Sequence, residues 1–216
     1  MPLRKGFFIT FEGPEGSGKS SQAEWLAAAL RRRGYPVLRV CDPGSTALGT
    51  LTRRLLLRSR RVKMSPMAEA LLFIAGRIQL VEELIRPALR QGRVVICDRF
   101  HDSTMAYQGY GGGVEIAWLN RFGRRAIGGV MPRLTILLDV PTRVGFSRIK
   151  GRRDRMEQKA RAFHRAVRQG FLKLARREPR RFVVLDATQS KAMLRQQMLA
   201  LVLRQLTHPS PLTTHH

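Results

Sequence analysis

The residues best suited to chemistry stand near the start of the chain, in "GPEGSGKS" (residues 13–20), which fits the pattern G-x-x-x-x-G-K-[ST]. Its glycines let the backbone bend until several N–H groups point at one anion, and the helix-compatible segment that follows adds its N-terminus. Lys19 can reach the β- and γ-phosphates of a nucleotide, and the Ser20 hydroxyl can bind Mg²⁺. Because an apolar strand pattern precedes the loop, a chance glycine turn is a poor explanation. The stretch predicts a nucleoside triphosphate site, with an ATPase, a GTPase and a small-molecule kinase all left open.

A second candidate site is the pair Asp98-Arg99, which ends the apolar stretch "RVVICDRF". Ligands of parallel sheets bind at the carboxyl ends of the strands, so this pair would lie beside the phosphate loop. The aspartate suits a water-mediated magnesium contact, and the arginine suits a second phosphate. A surface ion pair is the alternative, since such pairs are common, but the position at a strand end argues against it.

Phe73 and Arg77 are four residues apart in a long helical pattern, so they share one helical face. A ring and a guanidinium so placed can stack on a base and bond its edge. A core phenylalanine beside a solvent-facing arginine is the simpler explanation, and these residues alone favour it.

The composition fits one compact domain, since 44% of the 216 residues are hydrophobic. We find no apolar run long enough to span a bilayer, and the short apolar run at the N-terminus leads straight into the glycine loop rather than to a cleavage site. The two cysteines, Cys41 and Cys97, make neither a disulfide framework nor a zinc site. We therefore expect a cytoplasmic protein without a membrane partner.

The net charge of +25, with 33 arginines in the chain, admits two interpretations. One is a nucleic-acid-binding surface. The other is an arginine-rich composition combined with a site for anionic substrates. The cations occur in helical runs all along the chain and are not interleaved with aromatic residues, which favours the second interpretation.

Strand-like and helix-like patterns alternate along the chain. Strands are predicted at 6–12, 36–42, 93–98, 133–140 and 181–187, and helices at 19–33, 46–58, 66–91, 114–127, 142–149, 157–177 and 190–206. Nearly continuous apolar strands are typical of a parallel sheet buried on both faces. The prediction is an α/β three-layer domain over residues 1–206, followed by a disordered tail at 207–216.

Taken together, these features resemble the thymidylate kinase family, whose members phosphorylate dTMP with ATP. The block at 71–111 carries most of the resemblance, and "FEGPEGSGKSSQ", "DPGSTALG", "DRMEQ" and "VVLDATQS" follow the family's order around it. The resemblance implies a P-loop kinase fold with a five-stranded parallel sheet and a short mobile lid at about 148–156. It also implies ATP as donor, Mg²⁺ as cofactor, a homodimer, and a role in dTTP biosynthesis through dTDP.

The resemblance also implies residue roles. Phe73 would stack on thymine, Arg77 would bond its carbonyl edge, and Tyr107 would lie under the sugar and disfavour a ribose 2′-OH. The full dTMP set is Glu15, Asp42, Phe73, Arg77, Arg99, Ser103, Thr104, Tyr107 and Gln108. The ATP set is Gly13, Glu15, Gly16, Ser17, Gly18, Lys19, Ser20, Ser21 and Arg148. Magnesium would be bound by Ser20 and Asp98, and the catalytic groups would be Lys19, Arg99, Arg152, Arg153 and Arg155.

Several differences from the family pattern are visible, and two of them concern the phosphate contacts. Gly16 stands where one branch of the family keeps an arginine in the phosphate loop, so the lid would have to supply that charge, as in the bacterial type. The usual Arg-Glu-Pro-Gly-Gly-Thr reads Cys41-Asp42-Pro-Gly-Ser45-Thr here, which puts a phosphate or metal contact there in doubt.

The sequence also supports predictions for His101 and the two cysteines, and it leaves two alternative functions open. His101 would line or support the pocket, because an anionic phosphate acceptor needs no general base. If the second and third predicted strands are neighbours, as in the family, Cys41 and Cys97 would approach each other and stay thiols in a reducing cytoplasm. A kinase for another nucleotide is one alternative function, and a weakly catalytic P-loop protein that binds nucleic acid is the other.

Overall fold

The computed structural model describes residue 3 and residues 5–59, 62–151 and 154–207. Its five strands form one sheet in the order β2-β3-β1-β4-β5, and every neighbouring pair is parallel. The strands are β1 (Phe7–Glu12), β2 (Val37–Cys41), β3 (Val94–Asp98), β4 (Leu134–Asp139) and β5 (Phe182–Asp186). Each lies inside its predicted range, which confirms the predicted α/β class with a five-stranded parallel sheet.

The helices also follow the predicted pattern, with one addition. They are α1 (Lys19–Arg31), α2 (Ala47–Arg53, continued by the π-helical Arg54–Arg58), α3 (Pro66–Leu80, continued by Val81–Ile85 and Arg86–Arg90), α4 (His101–Thr104, continued by the π-helical Met105–Gly111), α5 (Ile116–Ala126), α6 (Thr142–Ser147), α7 (Arg161–Arg177) and α8 (Lys191–Thr207). No described helix is long and apolar enough to cross a membrane.

One unpredicted helix and one later helix start have local explanations. Helix α4 was not predicted, because it is buried almost all round and so lacks an amphipathic stripe, and glycines follow its last turns. Helix α7 begins at Arg161 and not at 157. Asp154 and Glu157 exchange hydrogen bonds of 2.9 Å between each side chain and the other's backbone N–H, which closes a separate turn before the helix.

The sheet lies between two helical layers, as the three-layer prediction requires. Alternate residues of β1 point to opposite faces. Phe7, Ile9 and Phe11 pack with α1 and α8, whereas Phe8 packs with α3 and with Phe100. A third cluster joins β4 to α4 and α7 through side chains such as Leu137, Met105 and Phe171. The layers leave the carboxyl ends of the strands at one edge, where the phosphate loop follows β1 and the Asp98-Arg99 pair ends β3.

The two cysteines lie on neighbouring strands, as expected from the strand order, but on opposite faces. Cys97 is in register with Val40, and Cys41 is in register with Asp98. Consecutive positions of a strand point to opposite sides of a sheet. Both cysteines are free thiols, and this alternation keeps one in the core and directs the other to the edge that carries the phosphate loop.

Candidate active site

One cavity of about 370 Å³ opens at the carboxyl edge of the sheet. It brings together most of the residues that the sequence singled out. The predicted residues in its wall are Glu15, Gly16, Gly18, Lys19, Ser20, Ser21, Asp42, Phe73, Arg77, Asp98, Arg99, Ser103, Thr104, Tyr107 and Gln108. Gly13, Ser17, Arg148 and Arg155 lie outside the wall, and Arg152 and Arg153 lie outside the described residues.

The phosphate loop is folded for anion binding by its glycines. Gly16 has φ of 68°, and a Cβ there would overlap the carbonyl oxygen of Gly145 in α6. Gly18, with φ of 86°, turns the chain into α1. Lys19 donates from Nζ to the carbonyl of Pro14 at 2.8 Å and to Ser17 Oγ at 3.2 Å. Burial, and then the charge of Arg99, lower the pKa of Lys19 to about 7. A bound phosphate would restore its charge.

Ser20 and Asp98 form the pair of oxygen ligands that magnesium would need. The hydroxyl of Ser20 donates to Oδ2 of Asp98, so the two side chains meet at the mouth of the phosphate loop. Within the described ranges there is no cluster of three or more His, Cys, Asp or Glu side chains that would enclose a metal. Mg²⁺ commonly takes one or two protein oxygens and completes its shell with phosphates and water. The donor set therefore fits magnesium that arrives with a nucleotide.

Arg99 is held in an unusual backbone conformation. Its φ is 68°, a region that residues other than glycine seldom adopt. Its Nη1 donates to the carbonyl of Gly13 at 3.2 Å and to Ser103 Oγ at 3.1 Å, and its guanidinium lies 5.0 Å from the centre of the Tyr107 ring. These contacts aim a fixed cation into the cavity next to the phosphate loop.

Glu12, which sequence reasoning missed, lies beneath this turn. It accepts hydrogen bonds from the backbone N–H of Phe100 at 2.8 Å and from the Ser103 hydroxyl at 2.6 Å. Burial, and then the negative charge of Asp102, raise the pKa of Glu12 to about 8. The sequence feature that could have indicated Glu12 is an acidic residue in the last, buried position of an apolar strand.

Glu15 presents a fixed anion to the same cavity. The Tyr107 hydroxyl donates to its Oε1 at 2.6 Å, and Nδ1 of His164 lies 3.2 Å from its Oε2. Burial alone would raise the pKa of Glu15, but the His164 bond, the charge of Arg99 and the Tyr107 bond outweigh it and lower the pKa to about 2. His164, on α7, was not found from the sequence, because only the fold brings α7 to the loop.

Arg77 is buried in the cavity wall, so the solvent-facing interpretation of this arginine is wrong. Its Nε lies 2.5 Å from Oδ2 of Asp42, and its Nη2 donates to Thr104 Oγ1 at 2.8 Å. Its Nη1 is buried and has no protein partner. Phe73 lies in the same wall and is half-buried. The wall therefore combines a flat ring with a guanidinium whose Nη1 has no protein partner.

Two contacts hold the motif "CDPGST", in which this chain departs from the family pattern. The carboxylate of Asp42 forms an ion pair with Arg77, which is also a residue of the cavity wall. Ser45 has φ of 66° where the family pattern has glycine, and its Oγ accepts a 2.9 Å hydrogen bond from the Cys41 N–H. That hydrogen bond stabilises the loop at a position where the positive φ would otherwise favour glycine.

The arginines on the lid side have separate positions. Nη1 of Arg148 donates to the carbonyl of Ala187 at 2.9 Å, away from the cavity. Arg155 lies 2.8 Å from Glu69 and donates to the carbonyl of Leu56. Arg53, which was not predicted as a site residue, lines the cavity and donates to the carbonyl of Pro43 at 3.0 Å.

His101 does not line the cavity. It packs against Gly123 of α5, and its Nε2 is 3.4 Å from the side-chain oxygen of Asn120. Burial, and then the charge of Arg77, lower the pKa of His101 to about 4, so the ring is neutral at pH 7. As the first residue of α4, it packs that helix against α5 and does not face the cavity.

The parallel sheet, the phosphate loop and the adjoining cavity of fixed charges define a P-loop phosphotransferase. The model of the family described as thymidylate kinase matches residues 11–198. The chain belongs to the thymidylate kinase family.

Named relatives agree with this assignment. The thymidylate kinase of Deinococcus radiodurans is 46% identical over 93% of this chain and 98% of its own length, and that of a Synechococcus strain is 49% identical over 86% and 88%. A crystal structure of thymidylate kinase from Ehrlichia chaffeensis superposes with a TM-score of 0.75 at 32% identity, covering 92% of this chain and 99% of that one.

Proposed function

We propose that this chain is a thymidylate kinase that transfers the γ-phosphoryl group of MgATP to dTMP and releases dTDP and ADP. The observation that carries the assignment of the acceptor is that Phe73 and Arg77, whose buried Nη1 has no protein partner, both line the cavity that also holds the phosphate loop. Thymine offers a flat ring for Phe73 and carbonyl oxygens for that donor. A buried charged donor that lacks a partner is costly, and the base would provide one.

The phosphates of the two substrates would meet between the loop and Arg99. The loop N–H groups and Lys19 bind the β- and γ-phosphates, while Arg99 and the nearby Arg53 hold the acceptor phosphate. An oxygen of dTMP attacks the γ-phosphorus, the bond to the β–γ bridging oxygen breaks, and ADP leaves with that electron pair. Because the attacking oxygen is already anionic, no base is needed, and alignment and charge stabilisation account for catalysis.

Magnesium, held by Ser20 and Asp98 together with the phosphates, would neutralise charge that develops on the phosphate oxygens. Glu15 would meet the sugar or phosphate of dTMP, and its two hydrogen bonds keep it anionic. Because Arg155 is engaged with Glu69, we assign the phosphate-binding role of the lid to Arg152 and Arg153, and Arg148 to the adenine side.

A homodimer in the cytoplasm is the state in which we expect the enzyme to work. Four exposed apolar side chains on the neighbouring helices α2 and α3 support dimerisation. They are Leu48, Leu51, Met67 and Leu71. Leu51→Glu should shift the mass measured by light scattering from dimer to monomer, whereas an unchanged mass would remove this surface from consideration.

A coupled ADP-release assay with MgATP tests the reaction. We expect turnover that requires dTMP, is low with dUMP, UMP or dGMP, is absent after magnesium chelation, and collapses in Arg99→Ala. ADP release with no acceptor preference would contradict the proposal. The alternative of a nucleic-acid-binding protein would then be tested by salt-dependent DNA affinity.

A further inference from the structure

Glu69 is a buried carboxylate in the first turn of α3 that no step of the reaction uses. Its side chain is 2% exposed. Its Oε1 lies 2.8 Å from Nη2 of Arg155, and its Oε2 lies 3.3 Å from Nζ of Lys159. The same Oε2 accepts a 3.2 Å hydrogen bond from Nε2 of Gln108. One carboxylate therefore joins the acceptor cavity, to which Gln108 belongs, with the segment 154–159 that follows the lid arginines.

The segment 154–159 rests on the cavity and is attached at Arg155. Its backbone N–H donates to the carbonyl of Leu57 at 3.0 Å, and its Nε donates to the carbonyl of Leu56 at 2.8 Å. Three of its residues, Asp154, Met156 and Glu157, form part of the cavity wall. The position of Arg155 thus sets one side of the space that a nucleotide would occupy.

Lys159 extends the link toward the residues that would contact the substrate. Its ammonium lies 4.5 Å from the centre of the Phe163 ring, and that ring lies 6.2 Å from the ring of Tyr107. A shift of the segment would therefore reach the sugar side of the pocket as well as Gln108.

Charge explains why this link depends on Glu69. A buried carboxylate is strongly unfavourable unless cations and donors surround it, and here two cations and one amide do so. Conversely, Arg155 and Lys159 are mostly buried cations in a chain of net charge +25. Without the Glu69 charge they repel each other, and the segment loses the main electrostatic reason to stay docked.

We propose that Glu69 is a positioning residue that couples docking of the segment 154–159 to the shape of the dTMP pocket, acting through Arg155 and Gln108. This inference rests on the proposed function. Glu69 itself contacts neither substrate. Its loss should therefore weaken use of dTMP and loosen the segment, while the phosphate loop and the use of ATP stay as they are.

Glu69→Gln tests the proposal, because glutamine keeps the shape and removes the charge. Hydrogen exchange of the amides at 154–159 should become roughly 10-fold faster. The KM for dTMP should rise roughly 10-fold, with the KM for ATP changed less than about twofold. Glu82→Gln is the matched control, since it makes the same charge change at an exposed position of the same long helix. It should alter neither quantity.

A second variant changes Arg155, the other partner of the Glu69–Arg155 ion pair. Arg155→Gln should reproduce both effects, and combining it with Glu69→Gln should add little, because both changes remove the same Arg155–Glu69 ion pair. A folded Glu69→Gln protein with unchanged exchange and unchanged KM for dTMP would overturn the proposal. Faster exchange throughout the chain, or equal increases of both KM values, would do the same, because either result indicates general destabilisation.

These outcomes separate the inference from the proposed function. If the unmodified protein lacks dTMP kinase activity, the proposed function fails and the coupling to dTMP fails with it. The hydrogen-exchange rates at 154–159 would then still decide whether Glu69 holds this segment in its docked position. If the unmodified protein is active and Glu69→Gln changes nothing, only the inference fails.

Discussion

The hydroxyl of Ser103 donates a 2.6 Å hydrogen bond to Oε2 of Glu12, and the same Ser103 oxygen accepts from Arg99 at 3.1 Å. The last residue of β1 thus supports the cation that would hold the acceptor phosphate. The second Glu12 oxygen accepts from the N–H of Phe100. The turn with positive φ at Arg99 is therefore held by a buried acid on the neighbouring strand.

Glu12→Gln should flatten the dependence of stability on pH. The pKa of Glu12 is raised from 4.5 to about 8 on folding. Between these values the folded state keeps a proton that the unfolded state has lost, so stability falls as pH rises, by at most about 1.4 kcal/mol per pH unit. Glutamine resembles the protonated form and should remove this slope. Urea unfolding from pH 5 to 8.5 measures it, and equal slopes in both proteins would refute the assignment.

Binding of ATP near pH 8 should take up close to one proton. Lys19, with a pKa of about 7 in the free protein, is mostly neutral at that pH. Neighbouring phosphates favour its charged form and raise the pKa. Calorimetric titration in two buffers of different ionisation enthalpy gives the number of protons. In the Lys19→Arg variant the side chain is charged both before and after ATP binds, so the proton uptake should vanish. An undiminished proton uptake would show that another group is responsible.

Replacing Arg77 should affect stability and dTMP binding in separable ways. Arg77→Met leaves the Asp42 carboxylate buried without its cation, which we expect to cost about 3–5 kcal/mol in the free energy of unfolding. The KM for dTMP should rise roughly 10- to 100-fold through the lost charged hydrogen bond.

The double variant Arg77→Met/Asp42→Ala provides the control for this prediction. It removes both charges, so it should recover part of the stability while the KM for dTMP stays high. Denaturant unfolding and steady-state kinetics give the two quantities. Recovery of dTMP binding together with stability would mean that Arg77 supports the fold only.

Tyr107→Phe should slow the reaction but keep the preference for deoxyribose. The hydroxyl bond to Glu15 is lost, and we expect kcat/KM for dTMP to fall roughly 10- to 100-fold. The ring, which lies against Arg99, stays in place. The ratio of kcat/KM for dUMP over UMP should therefore change little in this variant and fall in Tyr107→Ala. If both variants keep the ratio, the ring does not exclude the 2′-OH.

The fold could be predicted because its signals are local. The apolar runs of β1 and β4 are buried on both faces, and the glycine loop and Ser65-Pro66 mark helix starts by their own chemistry. Helix α4 was missed because burial on all sides removes the periodic pattern by which helices are found. The strand positions then placed the phosphate loop and Asp98-Arg99 at one edge, which is why most of the site could be expected.

The contacts that distinguish one charged residue from another could not be predicted. Arg155 looked like its neighbours in an arginine-rich loop, but it is mostly buried and paired with Glu69 from a distant helix. Glu12, His164 and Glu69 gain their partners only when separate helices and strands meet. Charged residue types can be identified from the sequence, whereas the pKa and the partner of each charged side chain depend on tertiary packing.

The close fit of Gly16 against Gly145 couples the phosphate loop to α6. A side chain at position 16 requires α6 to move away, because it would otherwise overlap a backbone oxygen that cannot yield. Helix α6 leads directly into the arginines at 148–155. In this chain a side chain gained at position 16 would therefore shift the start of that segment together with α6.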